Sequence, residues 1–588
     1  MKIKHFFGLA VIAAMTASCS SNEDLGNAGP GTGTNEAGVG YATFTINLPS
    51  VSGTRADAGD PTFDPGSDYE YKVNDATLLI FKKGEPTKEG ETPKEGDYTF
   101  VESVELGSMA PWKDPSETGV TTHAKITAKL DNVKKSDNNF ALVLLNNGTG
   151  TNAKVKMPSP NEKFSTWNAE ATGKFATYEN GFYMANALLY NTTDKSVTTL
   201  VPIESSKIYS TEEEAAKNPA TDIYVERGLA KVTLGDGTTD EKKVAEGTYK
   251  DDQVKISKWV LDVTNKKAFP IHNVDGLTTE FPTIWDNDAT TASKTNKATT
   301  KRFVDNNTDT KVKRVYWGID PNYKNADLCN EDAGGKTARE AEFNYVTANE
   351  NVKEDPANPL YCLENTFNLD NMKQGQTTRI IFKATYKPKS LPAGETTFYK
   401  IGKNIAIWSK DNLEKEIKAA VASVVSGAAG KTTVTLNAPN NDITAAGTHY
   451  ITADNIIVKT SETETATIDK DQITAINTQL GLKESEKVGI STYAGGESYY
   501  IARIKHFGDA LTDWKSGQPY NGDNLSFLGR YGILRNNWYV LTVKSVSGPG
   551  YPSVPEVKPN TPDDEDDKYI NVSVKILSWA KRSQDVNL

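Results

Sequence analysis

The chain has 588 residues, which is enough for two to four domains at about 150 residues each. Its net charge of -11 argues against nucleic acid as a partner. Three cysteines and five histidines are too few for a disulfide-dense scaffold or a Cys/His metal cluster. After the N-terminal segment, no apolar run is long enough to form a membrane-spanning helix.

The first nineteen residues have the pattern of a bacterial lipoprotein export signal. Two lysines precede an apolar stretch, and small residues lead directly to Cys19. This pattern predicts a lipoprotein in which residues 1–19 form the signal and Cys19 receives the lipid. Thr16 stands where leucine is usual, so the alternative is an ordinary signal peptide with an incidental cysteine.

A tether, a strand and a lone arginine follow the signal. Residues 20–40 are rich in Gly, Asn and Ser and predict a flexible tether. Residues 41–48 alternate, which predicts a half-buried strand with its apolar side chains on one face: Phe44, Ile46 and Leu48. Arg55, the first arginine, precedes Ala56 in a loose segment, so residues 20–55 are interpreted as a propeptide that a trypsin-like protease removes. The alternative is an ordinary loop arginine.

The body of the chain is β-rich, with turn signals every ten to fifteen residues. We expect an N-terminal β-sandwich domain over 56–240 and a C-terminal one over 241–546. A strand over 225–234 is expected to end the first domain, and a strand over 254–263 to begin the second. Helices are predicted as additions to this framework, at 410–425 and around Ile476.

The two cysteines beyond the signal are Cys329 and Cys362. In an oxidising compartment they could form one disulfide. The alternative is a pair of free buried thiols.

The C-terminal end combines a linker with an isolated strand. Residues 547–568 contain proline and glycine and then an acidic run, which predicts an extended, self-repelling linker. Residues 569–588 are interpreted as a donor strand. One face carries Ile570, Val572, Val574 and Ile576, and the other carries Leu577 and Trp579. Such a strand is an aggregation hazard unless another chain receives it.

Motifs for enzymatic chemistry are missing. The sequence has no phosphate-binding glycine loop, no nucleophile elbow and no HExxH motif, and its histidines are scattered. We therefore predict a protein that is not an enzyme, with no catalytic or metal-binding residues and no cofactor.

These features fit together as a strand-exchange device. Cleavage after Arg55 would remove the strand over 41–48 from its sheet. The C-terminal strand of a neighbouring copy could fill the vacancy by β-augmentation. This head-to-tail contact does not close on itself, so it would grow a filament.

The sequence resembles the Bacteroidetes fimbrillin family of type V pilus stalk subunits, and most closely its short (minor) fimbria branch. The resemblance is carried by Cys19, by the SGTRA segment around Arg55, by YMANA at 183–187 and by VERGLAKV at 225–232. Its most specific parts are YGILRNNWY at 531–539 and the terminal strand at 572–579.

The resemblance implies two transthyretin-like antiparallel β-sandwich domains and an outer-membrane lipoprotein precursor that an Arg-specific protease cuts after Arg55. It also implies self-association into a fimbrium with anchor, accessory and tip subunits. Adhesion to host or bacterial surface receptors and biofilm formation would follow.

Two other functions remain open. One is a tip or accessory adhesin of the same family, which need not donate a strand. The other is an anchored glycan-binding lipoprotein that retains Cys19 and uses Trp514 and Trp538 as sugar platforms.

Overall fold

The computed structural model describes part of the chain, and several predicted positions fall outside that part. The described residues are 38–49, 67–84, 93–109, 120–134, 136–191, 193, 196–275, 277, 303–304, 312–507, 512, 527–564 and 570–577. The predictions that fall outside them concern Cys19, Arg55, Ala56, Trp514 and Trp579.

Strands dominate the structure, and the helices are few and short, as the sequence predicts. The helices are α1 (Asp68–Tyr71), α2 (Phe164–Asn168), α3 (Glu212–Lys217), α4 (Ala333–Glu342), α5 (Lys410–Val424) and α6 (Lys470–Gln479). The strands are β1 (Gly40–Pro49), β2 (Ala76–Lys82), β3 (Thr99–Glu105), β4 (Val120–Leu130), β5 (Asn139–Leu145), β6 (Met184–Asn186), β7 (Leu189–Asn191), β8 (Ser196–Thr198), β9 (Val201–Ile203), β10 (Thr221–Arg227), β11 (Leu229–Leu234), β12 (Lys242–Lys243), β13 (Gln253–Asp262), β14 (Thr264–Asn265), β15 (Val312–Arg314), β16 (Phe343–Asn344), β17 (Leu360–Leu363), β18 (Arg379–Lys387), β19 (Phe398–Ile401), β20 (Thr432–Val434), β21 (Asn437–Ala438), β22 (Asn441–Asp442), β23 (Gly447–His449), β24 (Ile456–Lys459), β25 (Thr465–Ala466), β26 (Ile490–Tyr493), β27 (Glu497–Arg503), β28 (Trp538–Val546) and β29 (Ile570–Leu577).

The N-terminal half is built around an eight-stranded sheet. Its order is β3-β2-β5-β6-β10-β1-β4, and β9 pairs with β5 beside this path. Apolar side chains of β1, β2, β5 and β10 meet in one core, so strands far apart in sequence enclose the same interior. The large burial of leucine, isoleucine and phenylalanine side chains in this core stabilises the unit.

The C-terminal half contains a β-sandwich. One four-stranded sheet has the order β17-β11-β28-β29, and the other has the order β12-β13-β18-β27. Val232, Tyr539 and Leu541 from the first sheet share a core with Trp259 and Phe382 from the second. The mainly-β expectation is therefore confirmed, although β1 with β10 and β11 with β28 are parallel pairs.

The strand predicted over 225–234 is two strands that belong to different sheets. β10 pairs with β6 in the N-terminal sheet, and β11 pairs with β17 and β28 in the C-terminal sandwich. Gly228 lies between them, and a Cβ atom there would approach Tyr183 Cδ1 to 2.9 Å and Phe175 Cδ2 to 3.1 Å. Only glycine fits this position without displacing the aromatic rings, so the chain passes from one sheet to the next at this residue.

Both predicted helices are confirmed, and they belong to a unit that the sequence did not reveal. α5 and α6 lie between β18 and β27 in the chain, together with the small sheets β19-β26-β23 and β20-β24-β25. Leu413 and Ile417 of α5 pack with Ile476 of α6 in a core separate from that of the sandwich. This inserted unit therefore has its own hydrophobic interior.

The prediction of a self-repelling linker is wrong for residues 547–564. We call this segment the C-terminal strap, because it follows the surface of the C-terminal half. The backbone N–H and C=O groups of Tyr551 pair with those of Tyr499 at 2.7 and 2.8 Å. Arg379 Nη2 donates to the carbonyl oxygen of Pro555 at 2.7 Å. Fixed backbone partners offset the repulsion that the acidic composition suggests.

The predicted disulfide is also wrong, because Cys329 and Cys362 are both free thiols. Cys362 lies in β17 and packs in the core of the C-terminal sandwich, where burial raises the pKa of its thiol to about 12. Cys329 Sγ accepts a hydrogen bond from Gln376 Nε2 at 3.1 Å. The two sulfur atoms therefore have different surroundings, which spacing in the sequence did not reveal.

Candidate functional site

The N-terminal strand β1 lies in the interior of its sheet. It pairs with β4 in antiparallel register, with Phe44 opposite Ile126. On its other side it pairs with β10 in parallel register, with Phe44 opposite Thr221. The backbone of Tyr41 adds a reciprocal pair of hydrogen bonds to Tyr209 at 2.8 and 2.9 Å. Strand β1 therefore has backbone partners along both edges.

The inward face of β1 is part of the core. Phe44 and Ile46 expose none of their surface and Leu48 exposes 3%, as the sequence predicts, and Ala42 extends this row. Burial of each large side chain is worth about 1.5–3 kcal/mol. The three together supply a substantial part of the stability of the N-terminal half.

The outward face of β1 is covered as well, which corrects the prediction of a half-buried strand. Thr43 exposes 1% of its surface and Asn47 exposes 5%. The hydroxyl oxygens of Thr43 and Thr127 lie 2.7 Å apart. Helix α3 packs against β1 and β4. Removal of β1 would therefore open a groove with walls on several sides.

The C-terminal strand β29 lies at the edge of the C-terminal sandwich. It pairs in antiparallel register with β28, with Val574 opposite Leu541. Val574 exposes 5% of its surface, and Val572 packs partly buried against the same core. The strand predicted to stand alone is thus bound within its own chain, and among the described strands β28 is its one backbone partner.

Alternation along β29 explains which of the predicted donor residues share a face. Val572 and Val574 share one side of the strand, and the even spacing of Ile570 and Ile576 in the sequence keeps the prediction that they belong to the same row. Leu577 pairs with Trp538 at the other end of the register and lies on the opposite side. β29 therefore presents the same kind of apolar row as β1.

The C-terminal strap is fixed directly before β29. Asp564 accepts from Arg530 Nε at 2.9 Å and from the hydroxyl group of Tyr531. Asp563 exposes none of its surface and accepts from Thr377 Oγ1 at 2.9 Å. Burial, together with the nearby Asp564 carboxylate, raises the pKa of Tyr531 well above its usual value. Asp563 and Asp564 belong to the acidic run for which the sequence predicts a self-repelling linker, and here they anchor the strap.

The YGILRNNWY segment joins the strap, β28 and the junction at Gly228. Asn536 Oδ1 accepts from the backbone N–H of Arg227 at 3.2 Å, and the backbone N–H of Asn536 donates to the carbonyl oxygen of Leu229 at 2.8 Å. Arg535 forms a buried ion pair with Glu364 through two of its nitrogens. The family resemblance singled out this motif, but nothing in the local sequence indicated that it bonds to both β10 and β11, the strands on either side of Gly228.

A second buried ion pair connects α1 to the C-terminal sandwich. Glu70 exposes none of its surface and lies 2.7 Å from Lys231 Nζ of β11. The hydroxyl group of Tyr361 in β17 donates to the same carboxylate at 2.5 Å. Arg227 Nε donates to the Glu70 carbonyl oxygen at 2.8 Å. These contacts fix the chain shortly after the segment that contains Arg55.

The described residues give no sign of a metal site or a membrane-spanning helix. Within them, no group of His, Cys, Asp and Glu side chains could hold a metal ion. No helix in this part of the chain is long and apolar enough to cross a membrane. Trp538, one of the two tryptophans considered as sugar platforms, donates from Nε1 to Thr233 at 2.7 Å, and the ammonium group of Lys231 lies 3.8 Å from its ring centroid. Its ring is therefore already packed.

Comparison with known proteins identifies the C-terminal region. Residues 491–585 match the family model described as major fimbrial subunit protein type IV, fimbrillin, C-terminal. This region includes β27, the YGILRNNWY segment, β28, the C-terminal strap and β29. This part of the chain is therefore similar to the C-terminal region of fimbrillins. No curated protein matches the chain.

Two solved structures from Parabacteroides distasonis ATCC 8503 show a distant likeness. One is titled "Putative cell adhesion protein"; it is 12% identical, with 92% of this chain and 99% of that chain covered and a TM-score of 0.30. The other is titled "fimbrial assembly protein"; it is 11% identical, with 39% of this chain and 64% of that chain covered and a TM-score of 0.20.

Proposed function

We propose that this chain is a structural stalk subunit of a cell-surface fimbrium, from the short-fimbria branch of its family. It is exported as an outer-membrane lipoprotein through Cys19, and cleavage after Arg55 activates it for polymerisation. One observation carries the proposal: β1 is an interior strand, and Arg55 lies in the segment that connects it to α1. A single cut there would separate β1 from the rest of the polypeptide.

Loss of β1 would leave two strand edges and an apolar groove. β4 and β10 would each lose their backbone partner on the side of β1. The side chains that pack against Phe44 and Ile46, including Ile223, would meet water. Unpaired strand edges beside an exposed core favour capture of another strand.

β29 of a neighbouring subunit is suited to fill this groove. Its apolar row, Ile570, Val572, Val574 and Ile576, has as many members as the buried row of β1, which comprises Ala42, Phe44, Ile46 and Leu48. At the edge of its own sheet, β29 has one neighbouring strand, whereas the groove offers two. The exchange therefore gains a second ladder of hydrogen bonds, which offsets the loss of contacts with β28.

The mature subunit would polymerise head to tail with copies of itself and with anchor, accessory and tip subunits. An Arg-specific protease would supply the cut, and lipid would hold the precursor at the membrane until then. Adhesion to host or bacterial surfaces and biofilm formation follow from a long surface filament, and no enzymatic step is required.

The test is to identify the N-terminal residue of the surface-exposed protein by mass spectrometry. The same sample is run on a gel without boiling to detect polymers. We expect an N-terminus at Ala56 and a detergent-resistant ladder, and we expect Arg55→Ala to abolish both. Lys72→Ala, which changes an exposed residue just before β2, serves as the matched control. A lipidated Cys19 N-terminus with monomer alone would contradict the proposal and favour an anchored glycan-binding lipoprotein.

A further inference from the structure

The inserted unit between β18 and β27 contains a solvent-open pocket away from both exchange strands. Its volume is about 440 Å³, within the range of about 300–1,000 Å³ typical of small-molecule sites. It is bounded by the segment after β19, one side of α5, the end of α6 and the loop that follows α6. Trp408 and the polar residues Asn404, Glu416 and Gln479 line it, together with the charged residues Lys403, Lys483 and Glu486.

Trp408 gives the pocket an aromatic wall in a fixed position. Its backbone N–H and C=O groups pair with those of Tyr399 in β19, each at 2.9 Å. Its ring packs partly buried against the core of the inserted unit, which leaves part of the indole in contact with solvent. An aromatic ring held by its backbone is a suitable surface for stacking against the apolar face of a sugar ring.

Uncommitted polar groups surround that wall. No hydrogen bond within the described part of the chain engages the indole N–H of Trp408, the carboxylate of Glu416 or the amide of Gln479. Asn404 Oδ1 accepts from the N–H of Ala406 at 3.0 Å, so its amide group is oriented by the loop itself. The pocket thus presents both donors and acceptors, as recognition of several hydroxyl groups requires.

The charges of the pocket balance. Lys403 and Lys483 lie 3.4 and 2.5 Å from the carboxylate of Glu486, so one carboxylate engages both ammonium groups. Glu416 supplies the second negative charge. A strongly anionic ligand would be repelled by Glu416 and would have to displace Glu486, whereas a neutral ligand with many hydroxyl groups meets neither cost.

We propose that this pocket binds a neutral saccharide, with Trp408 against the sugar ring and Glu416, Gln479 and Asn404 bonding its hydroxyl groups. The site would add ligand binding to the subunit. It does not depend on strand exchange, because no lining residue belongs to β1, β4, β10, β28 or β29. Its failure and the failure of the proposed polymerisation are therefore distinguishable.

The test is binding of the full chain to an array of neutral glycans, followed by calorimetry with the neutral saccharides that bind. We expect Trp408→Ala and Gln479→Ala each to weaken binding by about tenfold or more. The first removes the ring that contacts the sugar, and the second removes a side chain that bonds its hydroxyl groups. Lys415→Ala on α5 lies outside the lining and should leave binding unchanged.

Trp408 also packs against a core, so Trp408→Ala could weaken binding by disturbing the fold. Gln479 is exposed at the end of α6, so Gln479→Ala tests binding without that complication. All variants should still form detergent-resistant ladders. The proposal is overturned if neutral saccharides do not bind at millimolar concentration, if only anionic glycans bind, or if Gln479→Ala binds as tightly as the wild type.

Discussion

Ile46 of β1 and Ile223 of β10 lie side by side in a parallel strand pair, and neither exposes any surface. The two residues are far apart in sequence, and the segment 50–66 lies between β1 and the body of the fold. A cut in this segment would leave Ile223 and the rest of β10 in place while releasing Ile46.

A peptide with the sequence of β1 should inhibit polymerisation. Added in excess to the cleaved chain, residues 40–49 as a synthetic peptide should reoccupy the groove, because both neighbouring strands and the apolar cavity fit it. Light scattering and an unboiled gel would show shorter products or monomer. The control is the same peptide with Phe44→Asp and Ile46→Asp, which should have no effect. Normal filament growth at saturating β1 peptide would contradict strand exchange at this site.

Substitution of Val574 by Asp should block donation by β29. A carboxylate on the apolar row would be buried without a partner in the receiving groove. Because Val574 also packs in its own sandwich, the variant should lose some monomer stability as well.

Mixing the Val574→Asp variant with wild-type subunits separates the loss of strand donation from the loss of monomer stability. The groove left by β1 is intact in this variant, so it should accept wild-type strands and shorten filaments in proportion to its fraction, as seen by electron microscopy. Lys575→Gln, on the opposite face of β29, is the control. If Val574→Asp alone forms filaments of normal length, the apolar row of β29 is not what enters the groove of the neighbouring subunit.

Glu70→Gln should destabilise the chain markedly. The substitution leaves the buried ammonium group of Lys231 without its countercharge, and loss of one partner of such a pair costs about 3–5 kcal/mol. Urea unfolding of the full chain should show an earlier transition, and Glu70→Gln with Lys231→Met should recover part of the loss. Glu213→Gln removes an exposed pair on α3 and should cost less than about 1 kcal/mol. Equal effects of Glu70→Gln and Glu213→Gln would contradict the role of the buried pair.

Glu95 should make stability fall as pH rises toward neutrality. Burial raises the pKa of Glu95 from 4.5 to about 7, although hydrogen bonds from the backbone of Leu200 and Thr199 oppose this. The folded state therefore holds a proton that the unfolded chain has lost. This contribution is complete below pH 4.5 and disappears as pH rises to about 7.

The measurement for Glu95 is the urea midpoint between pH 4.5 and 8. Glu95→Gln keeps an acceptor oxygen but no titrating group, so the free energy of unfolding of this variant should fall by about 3 kcal/mol less than that of the wild type over this interval. Asp320, whose pKa burial also raises to about 7, contributes in the same direction, and Asp320→Asn is the matched comparison. Identical pH profiles for the wild type and Glu95→Gln would contradict the prediction.

Gly228→Ala should destabilise the crossing between the sheets. The added methyl group would press on Tyr183 and Phe175, and overpacking of this kind costs about 1–3 kcal/mol. Differential scanning calorimetry would show a lower unfolding temperature. Gly334→Ala, in α4, would place its Cβ atom 3.4 Å from Asp332 Oδ1, an ordinary van der Waals contact, and should be neutral or slightly stabilising. A Gly228→Ala chain as stable as the wild type would show that the rings can move aside.

Local sequence patterns predicted β1, which the proposed strand exchange uses, and also helix α5. Alternation placed Phe44, Ile46 and Leu48 on one face of β1, and the apolar spacing of Leu413 and Ile417 located α5. Such patterns depend only on the period of the strand or helix, which is visible in a few consecutive residues. The prediction of cleavage at Arg55 also came from local sequence, and it remains a prediction.

The errors share one physical cause, which is that the covering partner lies far away in sequence. The local sequence predicts a linker at Asp563 and an isolated strand at Val574, whereas Thr377 bonds to Asp563 and Leu541 lies opposite Val574. The division of 225–234 at Gly228 depended on the rings of Tyr183 and Phe175.

The sequence by itself thus determined which segments are strands and which faces are apolar. Only the tertiary structure decided that β1 has two neighbours, that β29 has one, and that the chain changes sheets at Gly228. The reason is that side-chain periodicity is a property of the strand itself, whereas backbone pairing and burial of a second face depend on contacts between distant parts of the chain.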